Sequence, residues 1–209
     1  CREIFKKHWR TLQAYGIETA EFFPAVLKKV HLRINYRNHR KIVVIDGEVG
    51  FVGGFNVGRE YLGLAEKFGY WRDTHMKIIG SAALALQIRF LLDWNYASGN
   101  NLFLEDKYFT QQKRLTGSTG IQIISSGPDS KWKTIRDDYV YLISHATDHI
   151  YIQTPYFVPD ETMMDTLKMA AASGVDVRIM IPCKPDHPFV YWATYSYIGD
   201  MLQAGASCY

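Results

Sequence analysis

The spacing of apolar residues along this chain alternates between a helical period and short strand-like runs. In the first hundred residues, two segments repeat apolar positions every three or four residues, and several shorter apolar runs end at turn residues. Gly16 ends the first helical segment. The elements predicted here are helices 2–15 and 82–96 and strands 17–23, 42–45, 49–55 and 72–79, with a basic approach segment at 28–40.

A polar, turn-rich stretch at 100–120 interrupts this pattern and is the predicted linker between two halves, 1–99 and 121–209. The alternation restarts after it. Strands that alternate with helices predict an α/β fold of βαβ units, with mixed or parallel sheets flanked by helices. The elements predicted in the second half are strands 121–125, 150–153 and 175–181 and helices 134–146, 160–173 and 191–203.

The two halves share a short similarity. LQAYG at 12–16 ends the first predicted helix, and LQAG at 202–205 ends the last one. If the halves are repeats, residues 206–209 begin the strand that corresponds to 17–23. Four matched residues do not decide between a repeat and chance, and both readings stay open.

Composition narrows the classes of protein and of site. Of 209 residues, 47% are hydrophobic and the net charge is +3, which suits a globular protein with an anionic partner but identifies none. The three cysteines form no CxxC pair, so we expect reduced thiols rather than a zinc site or a disulfide framework. No apolar run approaches the roughly 20 residues of a transmembrane helix.

The stretch RINYRNHRKIVVIDGEVGFVGGFN concentrates the candidate chemistry. Side chains alternate along a strand, so His39 and Lys41 are expected on the same side. The Asp46-Gly47 pair predicts a hairpin turn. Counting outward from that turn places residues 54–56 opposite His39.

Three side chains of this hairpin together suit a phosphodiester. An imidazole is a nucleophile or proton carrier near neutral pH, a lysine attracts phosphate oxygens, and an amide donates hydrogen bonds without adding charge. We therefore expect His39, Lys41 and Asn56 to hold a phosphodiester and to stabilise the charge that develops during displacement. Gly53 and Gly54 would leave room for a group to approach the backbone. Neither a metal site nor a cofactor is predicted.

A nucleophilic histidine also needs its second ring nitrogen held, and Asp73 in GYWRDTHMKI is the candidate carboxylate. Asp46 adjoins Gly47, so a turn role is at least as good an interpretation as a catalytic one. Residue types alone also allow a purely structural interpretation of each of these features. An isolated HxK is common, a glycine pair can mark a bulge, and a basic run is usually solvated.

Taken whole, NHRKIVVIDGEVGFVGGFN resembles the HxKxxxxD signature of the phospholipase D superfamily and its G-G/S-x-N extension, within 34–61. The stretches EYLG, YWRDTH, QTPYFVPD and KPDHPFVYWATYSYIGDMLQAG are similar to the bacterial cardiolipin synthases of that superfamily. The resemblance implies a phospholipase D-like fold of layered βαβ units in two pseudo-repeat halves, each with one signature. The signature is filled by His39, Lys41 and Asp46, and the extension by Gly54 and Asn56.

Enzymes of this family transfer a phosphatidyl group from one phosphatidylglycerol to another through a phosphohistidine, giving cardiolipin and glycerol. The resemblance implies that His39 is the catalytic histidine of the first motif and that Lys41, Gly54 and Asn56 hold phosphate. Asp73 would orient the histidine, and Asp46 would complete the signature as a structural residue.

The resemblance further implies a substrate groove and a cellular setting. Tyr156, Phe157 and His187 lie in stretches typical of the family and are placed near the groove. The implied partners are phosphatidylglycerol and the membrane surface, at the cytoplasmic face of the bacterial cell membrane, with no nucleic acid.

The sequence departs from the family pattern in containing one HxKxxxxD motif rather than two. The family's N-terminal membrane segments and the opening βαβ of the first half are also missing. We therefore expect an internal fragment that ends just before the second motif. Such a chain should be inactive or nearly so, and should associate through exposed edges.

Three other functions stay open. A phospholipase D-type hydrolase would use water as the acceptor, and a one-motif nuclease of the superfamily would complete its site by dimerising. A catalytically empty module could instead bind anionic lipid through Arg33, Arg37, Arg40 and Lys41.

Overall fold

The computed structural model describes residues 2–22, 38–67, 69–109, 117–128, 130–184 and 188–209. The chain divides into two units, Cys1–Ile123 and Ile124–Tyr209. Each unit is described below by itself.

The first unit contains an antiparallel sheet in the order β1-β2-β3. The strands β1 and β2 form the hairpin expected from the Asp46-Gly47 turn, with Ile45 opposite Val49 and Ile42 opposite Val52. Its elements are helix α1 (Arg2–Ala14), strands β1 (Ile42–Ile45), β2 (Val49–Gly53) and β3 (His75–Ile79), helix α2 (Ser81–Ser98), and short 3-10 helices at Glu60–Leu62, Leu102–Leu104 and Asp106–Tyr108.

Helix α2 covers one face of this sheet. Ala83, Leu86 and Leu91 recur at helical spacing and are buried, as is Ile78 on β3. The helix approaches β2 at Gly50, where an added Cβ would lie 2.6 Å from Cδ1 of Leu86. A glycine at this position therefore sets the close packing of helix on sheet.

The opposite face of the sheet carries exposed apolar side chains. Val43 is 55% exposed, Ile45 49% and Ile79 58%. Ile45 and Ile79 both lie in register with Val49, so they share one side of the sheet. We call Val43, Ile45 and Ile79 the open face.

The second unit contains a parallel sheet in the order β4-β5-β6. Leu167, Val177, Ile179 and Met201 are buried in one core cluster between this sheet and its helices. The elements are helix α3 (Thr134–Ser144), strand β4 (His149–Gln153), helix α4 (Glu161–Ala172), strand β5 (Asp176–Met180), helix α5 (Pro188–Gln203) and strand β6 (Ser207–Cys208).

These elements confirm the predicted α/β class. Among the described strands, the first sheet is wholly antiparallel and the second wholly parallel. Two predicted strands are wrong. Residues 17–22 contain no strand, because the N–H of Ile17 bonds the carbonyl of Leu12 and closes the end of α1; residue 23 is not described. Residues 121–125 are apolar but pair with no described strand, and a strand needs a partner in register.

Candidate active site

His39 and Lys41 lie just before β1, at the open end of the β1–β2 hairpin. This is the end away from the Asp46-Gly47 turn. The β1–β2 register runs from Ile45 opposite Val49 to Ile42 opposite Val52. Extended by three residues, this register places position 39 opposite position 55, as counting from the turn predicted. The His39 side chain is exposed and Lys41 is half-buried.

The residues on either side of His39 bind the carboxylate of Asp93 on α2. Nδ2 of Asn38 donates to Oδ2 at 2.9 Å, and Nη1 of Arg40 donates to both oxygens at 3.1 and 3.2 Å. Asn38 and Arg40 therefore reach toward the helix side of the sheet. Alternation continued from β1 predicts His39 and Lys41 on the other side, which is the side of the open face.

Lys41 contacts the histidine backbone. Its Nζ donates to the carbonyl oxygen of His39 at 2.6 Å. The ammonium group thus lies beside the residue that carries the imidazole.

The space beside Gly53 and Gly54, at the end of β2, is occupied by residues of β3 and of the segment just before it. A Cβ on Gly53 would lie 2.6 Å from Cα of His75, and a Cβ on Gly54 would lie 2.7 Å from Cγ of Asp73. The N–H of Gly54 also donates to the carbonyl oxygen of Thr74 at 3.0 Å. The expectation of room for an approaching group is therefore corrected, because the protein's own Asp73 and His75 occupy that space.

Asp73 and His75 are thereby fixed at the same end of the sheet as the hairpin opening. Oδ1 of Asp73 accepts the N–H of Thr74 at 2.7 Å. His75 pairs with Gly53, and its Nδ1 is buried and makes no hydrogen bond within the described part of the chain. The register with Gly53 places His75 here, and the sequence motifs gave it no role.

Asn56 is oriented by an aromatic group. Its Nδ2 donates to the hydroxyl of Tyr61 at 2.6 Å. The Tyr61 ring lies 6.0 Å from that of Phe55 and 5.3 Å from that of Trp71, measured between centroids. Tyr61 escaped the sequence analysis, where only EYLG as a family stretch pointed toward it.

Asp46 lies at the opposite end of the hairpin. It has a φ of 53° and Gly47 a φ of 69°, so both central residues of the turn are left-handed. Asp46 lies five residues beyond Lys41, with the four residues of β1 between them, which is roughly 17 Å of strand. The structure therefore does not bring Asp46 together with His39, and the geometry favours the turn interpretation.

The three predicted groove residues belong to the second unit and are placed differently. Tyr156 is exposed and lines a pocket with Lys184 and Tyr191, where β4 and β5 end. Phe157 is 5% exposed and lies in the core cluster, where its N–H donates to Oγ1 of Thr194 at 3.2 Å. His187 lies outside the described residues, as do Arg33 and Arg37 of the basic run.

Two searches of the described residues bear on metals and membranes. Within them, no group of three or more His, Cys, Asp or Glu side chains is placed to hold a metal ion. No described helix combines the length and the apolar character that crossing a bilayer requires.

Comparison of the sequence with known proteins identifies relatives of this chain. Residues 139–209 match the family described as "Cardiolipin synthase, PLD-like domain". The chain is 53% identical over 208 residues to the major cardiolipin synthase ClsA of Bacillus subtilis, covering the whole of this chain and 43% of that relative. It is 51% identical to a cardiolipin synthase of Oceanobacillus iheyensis and 52% identical to one of Staphylococcus aureus. The chain is thus similar to cardiolipin synthases over its whole length.

These matches confirm the resemblance to cardiolipin synthases that the sequence motifs indicated. The chain spans less than half the length of the curated relatives it matches, 43% of the first two and 42% of the third. The family match at 139–209 covers helix α5 and the parallel sheet, whereas the His39 hairpin lies in the part aligned with the whole-chain relatives.

Proposed function

We propose that this chain carries the first-motif half of a phosphatidyltransferase that makes cardiolipin and glycerol from two phosphatidylglycerol molecules. The observation that carries the proposal is the joint placement of His39 and Lys41 on one side of the hairpin end. Two contacts support it: Nζ of Lys41 bonds the His39 carbonyl oxygen, and Nδ2 of Asn56 bonds the Tyr61 hydroxyl, so both side chains carry donors of the kind that a phosphate would accept from. The 53% identity to a named cardiolipin synthase supports the same reaction.

The reaction has two displacements. A ring nitrogen of His39 attacks phosphorus, the P–N bond forms, and the P–O bond to the head-group glycerol breaks. That glycerol oxygen takes a proton from an acid and leaves as glycerol. The hydroxyl of the second phosphatidylglycerol then gives its proton to a base and attacks phosphorus, the P–N bond breaks, and the free imidazole returns.

Each neighbouring residue has a role in this scheme. Lys41 and Asn56 balance and bond the phosphate oxygens, and Gly54 leaves room for the Asp73 carboxylate. Asp73 orients the imidazole, and its carboxylate packed against Gly54 supports that role. Asp46 holds the hairpin turn. The proton for the departing glycerol comes from a second histidine of the kind the family carries in its second motif.

The proposed setting is a membrane surface at the cytoplasmic face of the bacterial cell membrane, with phosphatidylglycerol as the partner and no nucleic acid. The formal charge of +3 favours an anionic surface. Tyr156 is the best supported of the three predicted groove residues, because it is exposed and lines a pocket. Phe157 would act through packing, and His187 stays a prediction.

Intact mass spectrometry tests this proposal. The chain is incubated with phosphatidylglycerol in detergent and quenched without acid, since phosphohistidine is acid-labile. Full turnover to cardiolipin is not expected from one motif, but attack on phosphorus alone would give a phosphatidyl adduct. That adduct should be absent in His39→Ala and present in His145→Ala, an exposed histidine of the second unit. An adduct that persists in His39→Ala would refute His39 as the nucleophile. If neither the natural chain nor His39→Ala forms an adduct, His39 is the acid–base partner or the site needs its second half.

The products separate the competing functions. Cardiolipin and glycerol support the transferase, and phosphatidic acid alone supports a hydrolase. Cleavage of DNA would support the nuclease. Retention of lipid binding in His39→Ala, with no adduct in either chain, would support a binding module.

We also propose that copies of this chain associate. Val43, Ile45 and Ile79 form an exposed apolar face, and β1 and β3 are the edge strands of the first sheet among the described strands. Exposed strand edges and apolar faces favour pairing with another chain.

A further inference from the structure

Asp93 makes contacts that a helix surface alone does not require. It lies on α2 and pairs with Arg89 one turn earlier, an ordinary i,i+4 ion pair. The same carboxylate also accepts from Asn38 and Arg40, which are more than fifty residues away in sequence. These long-range contacts go to the two residues that flank His39.

Hydrogen bonds within residues 38–41 also restrain the segment around His39. Oδ1 of Asn38 accepts the N–H of Arg40 at 2.9 Å, which bridges across His39. Nζ of Lys41 donates to the His39 carbonyl oxygen at 2.6 Å. Asn38 thus links the backbone of the segment to Asp93, since its amide donates to that carboxylate while its carbonyl accepts from the chain.

The environment of Asp93 strengthens these bonds. Its side chain is 13% exposed, and the Arg40 and Arg89 side chains are about a quarter exposed, at 27% and 25%. Hydrogen bonds between ionised groups are about twice as strong as neutral ones, and reduced solvent screening strengthens them further. A carboxylate that binds two guanidinium groups and one amide is a fixed anchor rather than a solvated surface charge.

We propose that Asp93 is a positioning residue for His39. Its carboxylate draws Asn38 and Arg40 to the helix side of the sheet, and this forces the intervening His39 side chain to the opposite side, where Lys41 also lies. The catalytic consequence rests on the proposed function, whereas the restraint on the segment does not. A displacement of about 1 Å in a reacting group can reduce a rate by about a hundredfold.

Amide hydrogen exchange on the 209-residue chain tests the restraint. In Asp93→Asn, the amides of residues 39–41 should exchange about tenfold faster or more, the scale of one charge-assisted hydrogen bond. The amides of β2 and β3 should change much less. A residue that only stabilises the fold would accelerate exchange across the whole first unit in proportion to the loss of unfolding free energy, measured in parallel with urea.

Three further variants sharpen the test. Arg89→Gln removes the i,i+4 partner but no contact to the His39 segment, and we expect no selective change at 39–41. Asp200→Asn removes an ion pair with Lys168 at 3.0 Å in the second unit and should also leave 39–41 unchanged. Asp93→Glu keeps the carboxylate and should restore part of the protection. Equal acceleration in Asp93→Asn and Arg89→Gln would overturn the proposal.

The reaction provides the second arm. The rate of phosphatidyl adduct formation should fall at least about tenfold in Asp93→Asn and stay within about twofold in Asp200→Asn. If exchange at 39–41 accelerates selectively but His39→Ala still forms an adduct, the proposed function fails and the restraint stands. If exchange is unchanged in Asp93→Asn, the inference fails whatever the reaction shows.

Discussion

Gly53 lacks a side chain at a point where β2 and β3 approach each other closely. An added Cβ would meet the carbonyl oxygen of Thr74 and lie 2.6 Å from Cα of His75, so backbone rather than a flexible side chain blocks it. We expect Gly53→Ala to lower the free energy of unfolding by about 1–3 kcal/mol, the usual cost of overpacking. Urea unfolding followed by circular dichroism measures this change.

Gly199 provides the matched control. It lies within α5, and nothing stands within 4 Å of an added Cβ. Gly199→Ala should raise the free energy of unfolding by about 0.5–1 kcal/mol, because alanine is the better helix former. Equal stability of Gly53→Ala and the natural chain would show that β2 and β3 can separate at this point at no cost.

Tyr61 tests whether orientation of Asn56 matters for the reaction. Removing the hydroxyl in Tyr61→Phe leaves the Asn56 amide without the acceptor it bonds at 2.6 Å. We expect the rate of phosphatidyl adduct formation to fall about tenfold, the scale of one hydrogen bond to a charged or polar group. Tyr70→Phe, at an exposed tyrosine, is the control and should keep the full rate. An unchanged rate in Tyr61→Phe would show that the orientation of Asn56 by Tyr61 does not affect the reaction.

The hairpin part of the site could be predicted from the sequence, and its supports could not. Alternation and the turn place His39, Lys41 and residues 54–56 at one end, because both are local rules. Asp93 lies on a helix more than fifty residues away, so no spacing rule points to it. The same holds for the filling of Gly54 by Asp73, which depends on how the third strand pairs.

At the scale of elements, a shared helix end explains the similarity between the two halves. In α1 the N–H groups of Gly16 and Ile17 bond the carbonyls of Gln13 and Leu12, and in α5 those of Gly205 and Ala206 bond Leu202 and Met201. Helix α4 ends in the same way at Gly174 and Val175. This is the Schellman pattern, which favours glycine in a left-handed conformation. Three helices use it, so the cap explains the glycine that LQAYG and LQAG share, and the repeat stays a prediction.

The same caps explain why one strand prediction failed where its counterpart succeeded. Residues 206–209 leave the cap of α5 and enter β6 beside β5, in register with Arg178 and Ile179. Residues 17–22 leave the cap of α1 without a described strand beside them. The apolar pattern predicts an extended segment in both places, but only a neighbouring strand turns it into sheet.

The start of α4 gives a pH-dependent stability. Asp160 caps this helix by accepting the N–H of Met163 at 3.0 Å, and Arg136 donates to it at 2.8 Å. The Arg136 guanidinium, followed by the Met163 N–H, holds the pKa of Asp160 below its usual value of 3.8. A depressed carboxylate pKa stabilises the fold above the unfolded-state pKa, and this stabilisation is lost as the pH falls through the folded-state pKa.

Asp160→Asn isolates the charge, since asparagine remains a good N-cap. We expect the urea midpoint to fall at pH 7 and the difference from the natural chain to shrink below about pH 4. Asp165→Asn on the same helix serves as the control. A difference for Asp160→Asn that is constant from pH 7 to pH 3 would mean that packing rather than the ion pair holds this end of α4.

At the scale of the molecule, the reaction and the exposed surface belong to the same side of the first sheet. His39 and Lys41 alternate onto the side where Val43, Ile45 and Ile79 are exposed. Whatever covers this open face also borders the imidazole. In the proposed reaction, the acid that protonates the departing glycerol is therefore expected from a group that packs against this side.

Association through the open face follows as a measurable consequence. The chain should form dimers or larger species at micromolar concentration by multi-angle light scattering, because covering Ile45 and its neighbours removes apolar area from water. Ile45→Lys should shift the distribution toward monomer, since a lysine ammonium would have to be buried at the contact. Leu62→Lys, at an exposed leucine outside the sheet, should leave it unchanged. If both variants and the natural chain are monomeric at high concentration, the open face is solvated in this chain and the proposed association is wrong.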